Sequence, residues 1–104
     1  QLAGEEGYQA PANDTERQLV AIWSQVLKLE QDKISVTASF FELGGHSLKL
    51  VFLGNLIFKT LDIKISIKDL FDKSSVREQA SLIVAVKQIN NEDVDDLELT
   101  EISI

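Results

Sequence analysis

Apolar residues return at intervals of three and four through most of this chain, and the one stretch that alternates in strand fashion has no second strand to pair with. Leu19, Ile22, Trp23, Val26 and Leu27 predict a first amphipathic helix over 14–27, opened by the capping-box pattern Asn13-x-x-Glu16, with Thr15-x-x-Gln18 as a competing register. Ser66-x-x-Asp69 opens a short third helix in which Leu70 and Phe71 are expected to pack inward. Ser75-x-x-Glu78 opens a last helix reaching about residue 89 on Val76, Ala80, Ile83, Val84 and Val86. Residues 63–67, Ile-Lys-Ile-Ser-Ile, alternate, but a lone strand is not stable, so they read as an extended link. With a second helix over 47–61, the expectation is an all-α, four-helix domain with a long first loop and a short third helix.

The long loop ends on the most distinctive stretch of the chain, Phe40-Phe41-Glu42-Leu43-Gly44-Gly45-His46-Ser47-Leu48. A connection of this length, 28–46, is functional or disordered, and Ile34, Val36, Phe40, Phe41 and Leu43 would tie it to a core. Gly44-Gly45 can take positive φ and let another molecule approach, and the helical pattern starts just beyond. Ser47 then stands at a helix start, where free backbone N–H groups and the dipole favour a phosphate. The plainer reading makes Ser47 a helix cap and the aromatic residues core.

The second helix is apolar on more than one side. Leu50, Leu53, Gly54, Ile57 and Leu61 share one face, and Leu48, Phe52 and Leu56 form a row on the opposite face. A helix apolar all round is buried throughout or has a second apolar contact, and a domain this small cannot bury every side. The first set is therefore assigned to the core, with close helix packing offsetting the cost of Gly54, and the Leu48/Phe52/Leu56 row to a partner surface.

Composition removes several classes of function. The 104 residues suit one domain with tails, and a formal charge of −7 with no basic patch argues against nucleic acid. No apolar run is long enough for a bilayer and no signal-peptide pattern opens the chain, so no membrane contact and a cytoplasmic location are expected. With no cysteine and one histidine, neither a thiolate nucleophile nor a metal site is expected, and any thiol the protein handles must be imported. The adjacent His46 and Ser47 invite a hydrolase reading, but Lys49 stands where a nucleophile elbow needs glycine and Leu50 where a Ser-x-x-Lys motif needs lysine. Gly44-Gly45 also lacks the Gly-Lys pair of a Walker loop. What remains is a serine displayed for another protein to modify, in a chain that is not itself an enzyme.

Those nine consecutive residues, 40–48, closely resemble the attachment motif of peptidyl carrier (thiolation) domains of nonribosomal peptide synthetases. The likeness extends through Tyr8 to Pro11, Glu16, Ile22-Trp23, Val26-Leu27, Leu70-Phe71 and Ser75-Val76, covering roughly residues 8–86. It implies a four-helix bundle of the acyl/peptidyl carrier type. It also implies that a phosphopantetheinyl transferase, using coenzyme A, joins 4'-phosphopantetheine to Ser47, with Gly45, His46 and Leu48 flanking the site. The arm's thiol would then carry aminoacyl or peptidyl groups as thioesters. Partners implied are that transferase and the adenylation, condensation and other synthetase domains, met through Leu48 and the outer face of the second helix by a carrier that is itself monomeric. His46, rather than an acidic residue, before the serine is similar to the peptide-synthetase version more than the fatty-acid one.

The chain departs from the family pattern at Ser66 and Ser74, where proline is common, and at Gln79, where an apolar residue is usual. Phe52 and Leu56 are more apolar than the family's usual outer face. The rival readings are an acyl carrier of a polyketide or mixed synthetase, and a helical protein-interaction module in which Ser47 is only a cap. Residues 1–12 read as a linker from a preceding, adenylation domain, with Tyr8 a solvated aromatic; Gln1 in place of an initiator methionine suggests a chain cut from something larger. The carrier domain itself is expected over 13–90. Residues 91–104 read as an acidic linker or docking tail, in which Leu97, Leu99, Ile102 and Ile104 either dock on a neighbour or stay disordered.

Overall fold

The computed structural model describes the backbone of residues 8–103 and the side chains of residues 8–89. Four α-helices follow one another: α1 (Asp14–Leu27), α2 (Ser47–Leu61), α3 (Ile67–Asp72) and α4 (Val76–Ser103), with a 3-10 turn, Gln31–Lys33, inside the α1–α2 connection. No strand forms among the described residues; residues 63–65 have no regular structure between α2 and α3, and one isolated antiparallel bridge joins Ser39 to Ser75.

The caps work as the spacing requires. Asn13 Oδ1 accepts from Glu16 N–H at 2.8 Å, and Ser66 Oγ accepts from Asp69 N–H at 3.0 Å. At α4, Ser75 Oγ accepts from Glu78 N–H at 3.2 Å while Glu78 Oε1 accepts from Ser75 N–H at 3.3 Å, a complete reciprocal box. At α1 the reciprocal half differs, because Glu16 Oε1 accepts from Ala12 N–H instead, at 2.8 Å. Each such cap contributes about 1 kcal/mol. α1 and α2 end on Lys28 and Asp62, both left-handed, without the usual glycine.

The core gathers Leu19, Ile22 and Trp23 from α1, Leu50, Leu53 and Ile57 from α2, Leu70 from α3 and Val76, Ala80 and Ile83 from α4. Gly54 lets α3 come close to α2: a Cβ there would lie 3.3 Å from the Leu70 side chain. The long connection adds Ile34, Val36 and Phe40, all fully buried, with the Phe40 ring edge-on to Trp23 at 5.0 Å. Backbone bonds pin the same segment. Phe40 N–H donates to the Ser74 carbonyl at 2.7 Å, Arg77 N–H to that of Val36 at 2.9 Å, and Val36 N–H to that of Gln9 at 3.0 Å.

Two polar groups are buried and paired. Gln79 accepts from Trp23 Nε1–H at 3.1 Å and donates to the Lys73 carbonyl at 2.9 Å, which ties the α3–α4 turn to α1. Glu16, 4% exposed, takes the Arg77 guanidinium at 3.1 Å. That guanidinium, above all by hydrogen bonding, holds the Glu16 carboxyl below its ordinary value despite the opposing cost of burial.

Three expectations need correction. The last helix does not stop near 89 but continues to Ser103, since residues 90–103 hold neither glycine nor proline and Asn90-Asn91 alone do not end it. How the side chains of Leu97, Leu99, Ile102 and Ile104 behave lies outside the described residues. Phe71 does not pack inward: it is 57% exposed, with its ring against the half-buried Phe41 at 5.2 Å, because a six-residue helix turns only one side, that of Leu70, to the core. Tyr8 is half-buried rather than solvated, next to Gln9, whose N–H donates to Ser35 Oγ at 3.0 Å. Of the predicted lead-in, residues 1–7 lie outside the described residues and 8–12 form no helix.

Candidate functional site

The segment before α2 is a tight turn wound on Phe40. Its carbonyl accepts from Leu43 N–H at 3.3 Å and from Gly45 N–H at 2.9 Å, and Gly44 N–H donates to the Phe41 carbonyl at 3.2 Å. The two glycines have different reasons to be there. Gly44 has φ of +100° with open space around its missing side chain, so it answers a backbone need. Gly45 does not keep space clear for an incoming molecule, as the sequence suggested: a Cβ there would sit 2.2 Å from the Phe40 ring, so the clearance serves the protein's own anchor.

With that turn fixed, His46 takes the N-cap position in extended backbone and Ser47 is the first residue of α2. The reading of Ser47 as the cap is therefore displaced by one residue. The His46 side chain makes no capping hydrogen bond, and among the described residues none reaches Ser47 Oγ. Ser47 and His46 are both exposed. α1, α3 and α4 each place an acidic residue in the first turn, whereas α2 has none. In a chain of net charge −7, this helix start keeps its uncapped N–H groups and the positive end of its dipole clear of carboxylates. An accessible, uncommitted hydroxyl beside such a terminus fits a phosphodiester.

The predicted partner row is only partly exposed. Leu48 is 57% and Phe52 52% exposed, but Leu56 is half-buried and packs against the core. Phe52 and Leu56 form, with Val26 and Lys28 of the α1 end and Lys49, Asn55 and Lys59, a groove of about 460 Å³. Sequence reasoning missed a second apolar face. Val51 and Phe58, four and eleven residues beyond Ser47, share its side of α2, and with Ile67 they line a smaller groove of about 320 Å³ toward α3. That spacing from Ser47 was the available signal. Leu48, Phe52 and Leu56 lie around the other side of the helix.

The family described as the phosphopantetheine attachment site matches residues 17–83, and the chain belongs to it. Bacitracin synthase 3 of Bacillus licheniformis is 38% identical over 81 residues, 78% of this chain but 1% of that protein. Among solved structures, the non-covalent extended docking domain complex of the Pax NRPS superposes with a TM-score of 0.74 at 36% identity, covering 93% of this chain and 90% of that one. The peptidyl carrier protein solved with the phosphopantetheine transferase Sfp and coenzyme A gives 0.71 at 28% identity, covering 75% and 99%. The chain thus spans a very small part of the curated relative's length. Fold, family and relatives together make it a carrier domain of the nonribosomal peptide synthetase type, with covalent phosphopantetheine as its cofactor. No described helix is long and apolar enough to cross a membrane.

Proposed function

We propose that Ser47 is the residue that bears the phosphopantetheine, with Gly45 holding the turn on Phe40 that positions it, His46 flanking it, and Leu48, Phe52 and Leu56 meeting partners. The observation that carries this is the exposed Ser47 hydroxyl, free of hydrogen bonds, at the only described helix start without an acidic residue. When attached, the arm supplies the thiol on which an aminoacyl or peptidyl group is carried, in a chain without cysteine. The rigid turn on Phe40 holds Ser47 at one position, and the dipole of α2 stabilises the phosphodiester charge. The domain is non-catalytic and acts in the cytoplasm, displaying its cargo to the adenylation, condensation and other domains of a synthetase after a transferase has modified it.

The test is direct. The domain, incubated with coenzyme A, magnesium and a broad-specificity phosphopantetheinyl transferase, gains the mass of one phosphopantetheinyl group, and Ser47→Ala gains nothing. A folded wild-type sample that stays unmodified, or a Ser47→Ala variant that is modified, overturns the assignment.

We further infer that the carrier body spans 13–90, led into by a linker from an adenylation domain, and that residues 91–104 form a docking tail. Support comes from the docking domain complex, whose likeness covers 93% of this chain against 75% for the carrier protein solved with Sfp, and so reaches into the tail. Between Lys87 and the last residue the sequence carries acidic and apolar residues and no lysine or arginine, which suits a basic, apolar acceptor. Removing 91–104 is expected to leave modification of Ser47 intact while abolishing association with the acceptor chain; unchanged association overturns the tail's role.

A further inference from the structure

We propose that the groove between the end of α1 and α2 seats a helical segment of a partner protein that is rich in carboxylates around an apolar anchor. The proposal rests on the reading of Phe52 and Leu56 as a partner surface and adds the chemistry of what meets it. The floor of the groove is apolar, built from Val26, Phe52 and Leu56. Its wall carries Lys28, Lys49 and Lys59, with no acidic residue among the lining side chains. None of the three lysines forms an ion pair among the described residues; Lys33, Lys64, Lys73 and Lys87 are unpaired there too, and what sets Lys28, Lys49 and Lys59 apart is that they share one apolar groove.

That contrast matters in a protein of net charge −7. Carboxylates are plentiful in the sequence, yet among the described residues none pairs with this group of cations. Screening at about 0.1 M salt limits each charge to roughly 10 Å, so an acidic segment at the groove is attracted by the lysines that rim it more than it is repelled by carboxylates elsewhere on the chain. Charge then sets the position and orientation of the partner, and burial of Phe52 supplies the adhesion. The dimensions suit a helix. Lys49 and Lys59 are ten residues apart along α2, about 15 Å at 1.5 Å per residue, so carboxylates about three turns apart on a helix laid along the groove can meet both. The groove also lies away from the side of α2 that carries Ser47, Val51 and Phe58, so a segment seated there leaves the serine accessible.

The probe is a synthetic amphipathic helical peptide with leucine and phenylalanine on one face flanked by glutamates, and its counterpart with lysine at every glutamate. Each is titrated into the isotope-labelled 104-residue chain while backbone amide signals are followed by NMR. The glutamate peptide is expected to move the signals of Val26, Asn55, Leu56 and Lys59, with affinity falling as salt rises. The lysine peptide is expected not to bind. A Lys28→Glu/Lys49→Glu/Lys59→Glu chain is expected to bind the glutamate peptide at least about tenfold more weakly; a glutamine triple variant, milder for folding, should show an intermediate loss. Equal binding of both peptides, indifference to the lysine substitutions, shifts confined to Val51 and Phe58, or no shift at all overturns the proposal. Because the unmodified chain is used, none of these results bears on Ser47 as the attachment residue. A Phe52→Ala chain that weakens both peptides equally would retain the partner surface while rejecting its acidic partner.

Discussion

Gly45 N–H donates to the Phe40 carbonyl at 2.9 Å, and the face of Gly45 where a side chain would project is filled by the Phe40 ring. The residue that anchors the long connection in the core is thus in direct contact with the residue two before Ser47. Core packing and display of the serine are one structural unit.

Gly45→Ala is accordingly expected to cost about 1–3 kcal/mol, the usual penalty for forcing an extra group into a packed site. It should also slow modification of Ser47, although the serine is untouched, because the turn must move. Gly44→Ala meets no neighbour and should cost only the strain of a left-handed residue, about 1–2 kcal/mol. Urea denaturation and the time course of intact mass in the presence of transferase check both. A Gly45→Ala domain with unchanged stability and unchanged modification would separate the turn from the site.

Gln79→Leu places an apolar side chain of similar size at a fully buried position. Here it should destabilise, by about 1–3 kcal/mol, because it strands the indole N–H of Trp23 and removes a partner from the Lys73 carbonyl. Trp23 is the single tryptophan of the chain, so its fluorescence reports both unfolding and the altered environment. Stability equal to or above the parent would show that the buried amide contributes nothing net.

The Glu16–Arg77 pair makes stability depend on pH. Hydrogen bonding to Arg77 first, then the bond from Ala12 N–H, lowers the folded carboxyl below its ordinary 4.5, against the cost of burial. A lowered folded value means the unfolded chain binds the proton more readily. The contribution is therefore complete above the ordinary carboxylate range and is lost as pH falls through the folded value. Arg77→Gln should lower stability at neutral pH, with the gap to the parent closing in acid. Urea midpoints from pH 7 down to about pH 3 measure this; a gap that stays constant would exclude the ion pair as its cause.

Phe52→Ala and Leu56→Ala should behave differently in stability and alike in function. Phe52 is half exposed, and its truncation should stay within about 0.5 kcal/mol, whereas the half-buried Leu56 should lose about 1–2 kcal/mol. Both should reduce loading or transfer by at least one neighbouring synthetase domain at unchanged Ser47 modification chemistry. Full efficiency with every neighbouring domain would leave the row without a partner.

Much of the scaffold was legible because its signals are local. Asn13, Ser66 and Ser75 stand three residues before carboxylates that reward a helix start, and the 14–27 and 47–61 boundaries follow from residues a few positions away. Ser47 was legible for the same reason, as the first helical residue after two glycines. The extension of α4 to Ser103 was not, because acidic composition was read as linker although it contains no helix-breaking residue. Phe71 was misplaced because a six-residue helix is too short for its period to reveal a buried side.

The sequence by itself determined the helical architecture and the serine after the paired glycines, since each rests on contacts between near neighbours and on the chemistry of single residues. Only the tertiary structure decided what Gly45 makes room for, which side of α2 remains open, and how Gln79 and Glu16 come to be buried yet paired. Those depend on residues far apart in the chain, Phe40 against Trp23, Val26 and Phe52 in one groove, Gln79 against Trp23, whose placement is set by helix packing and leaves no mark in local spacing.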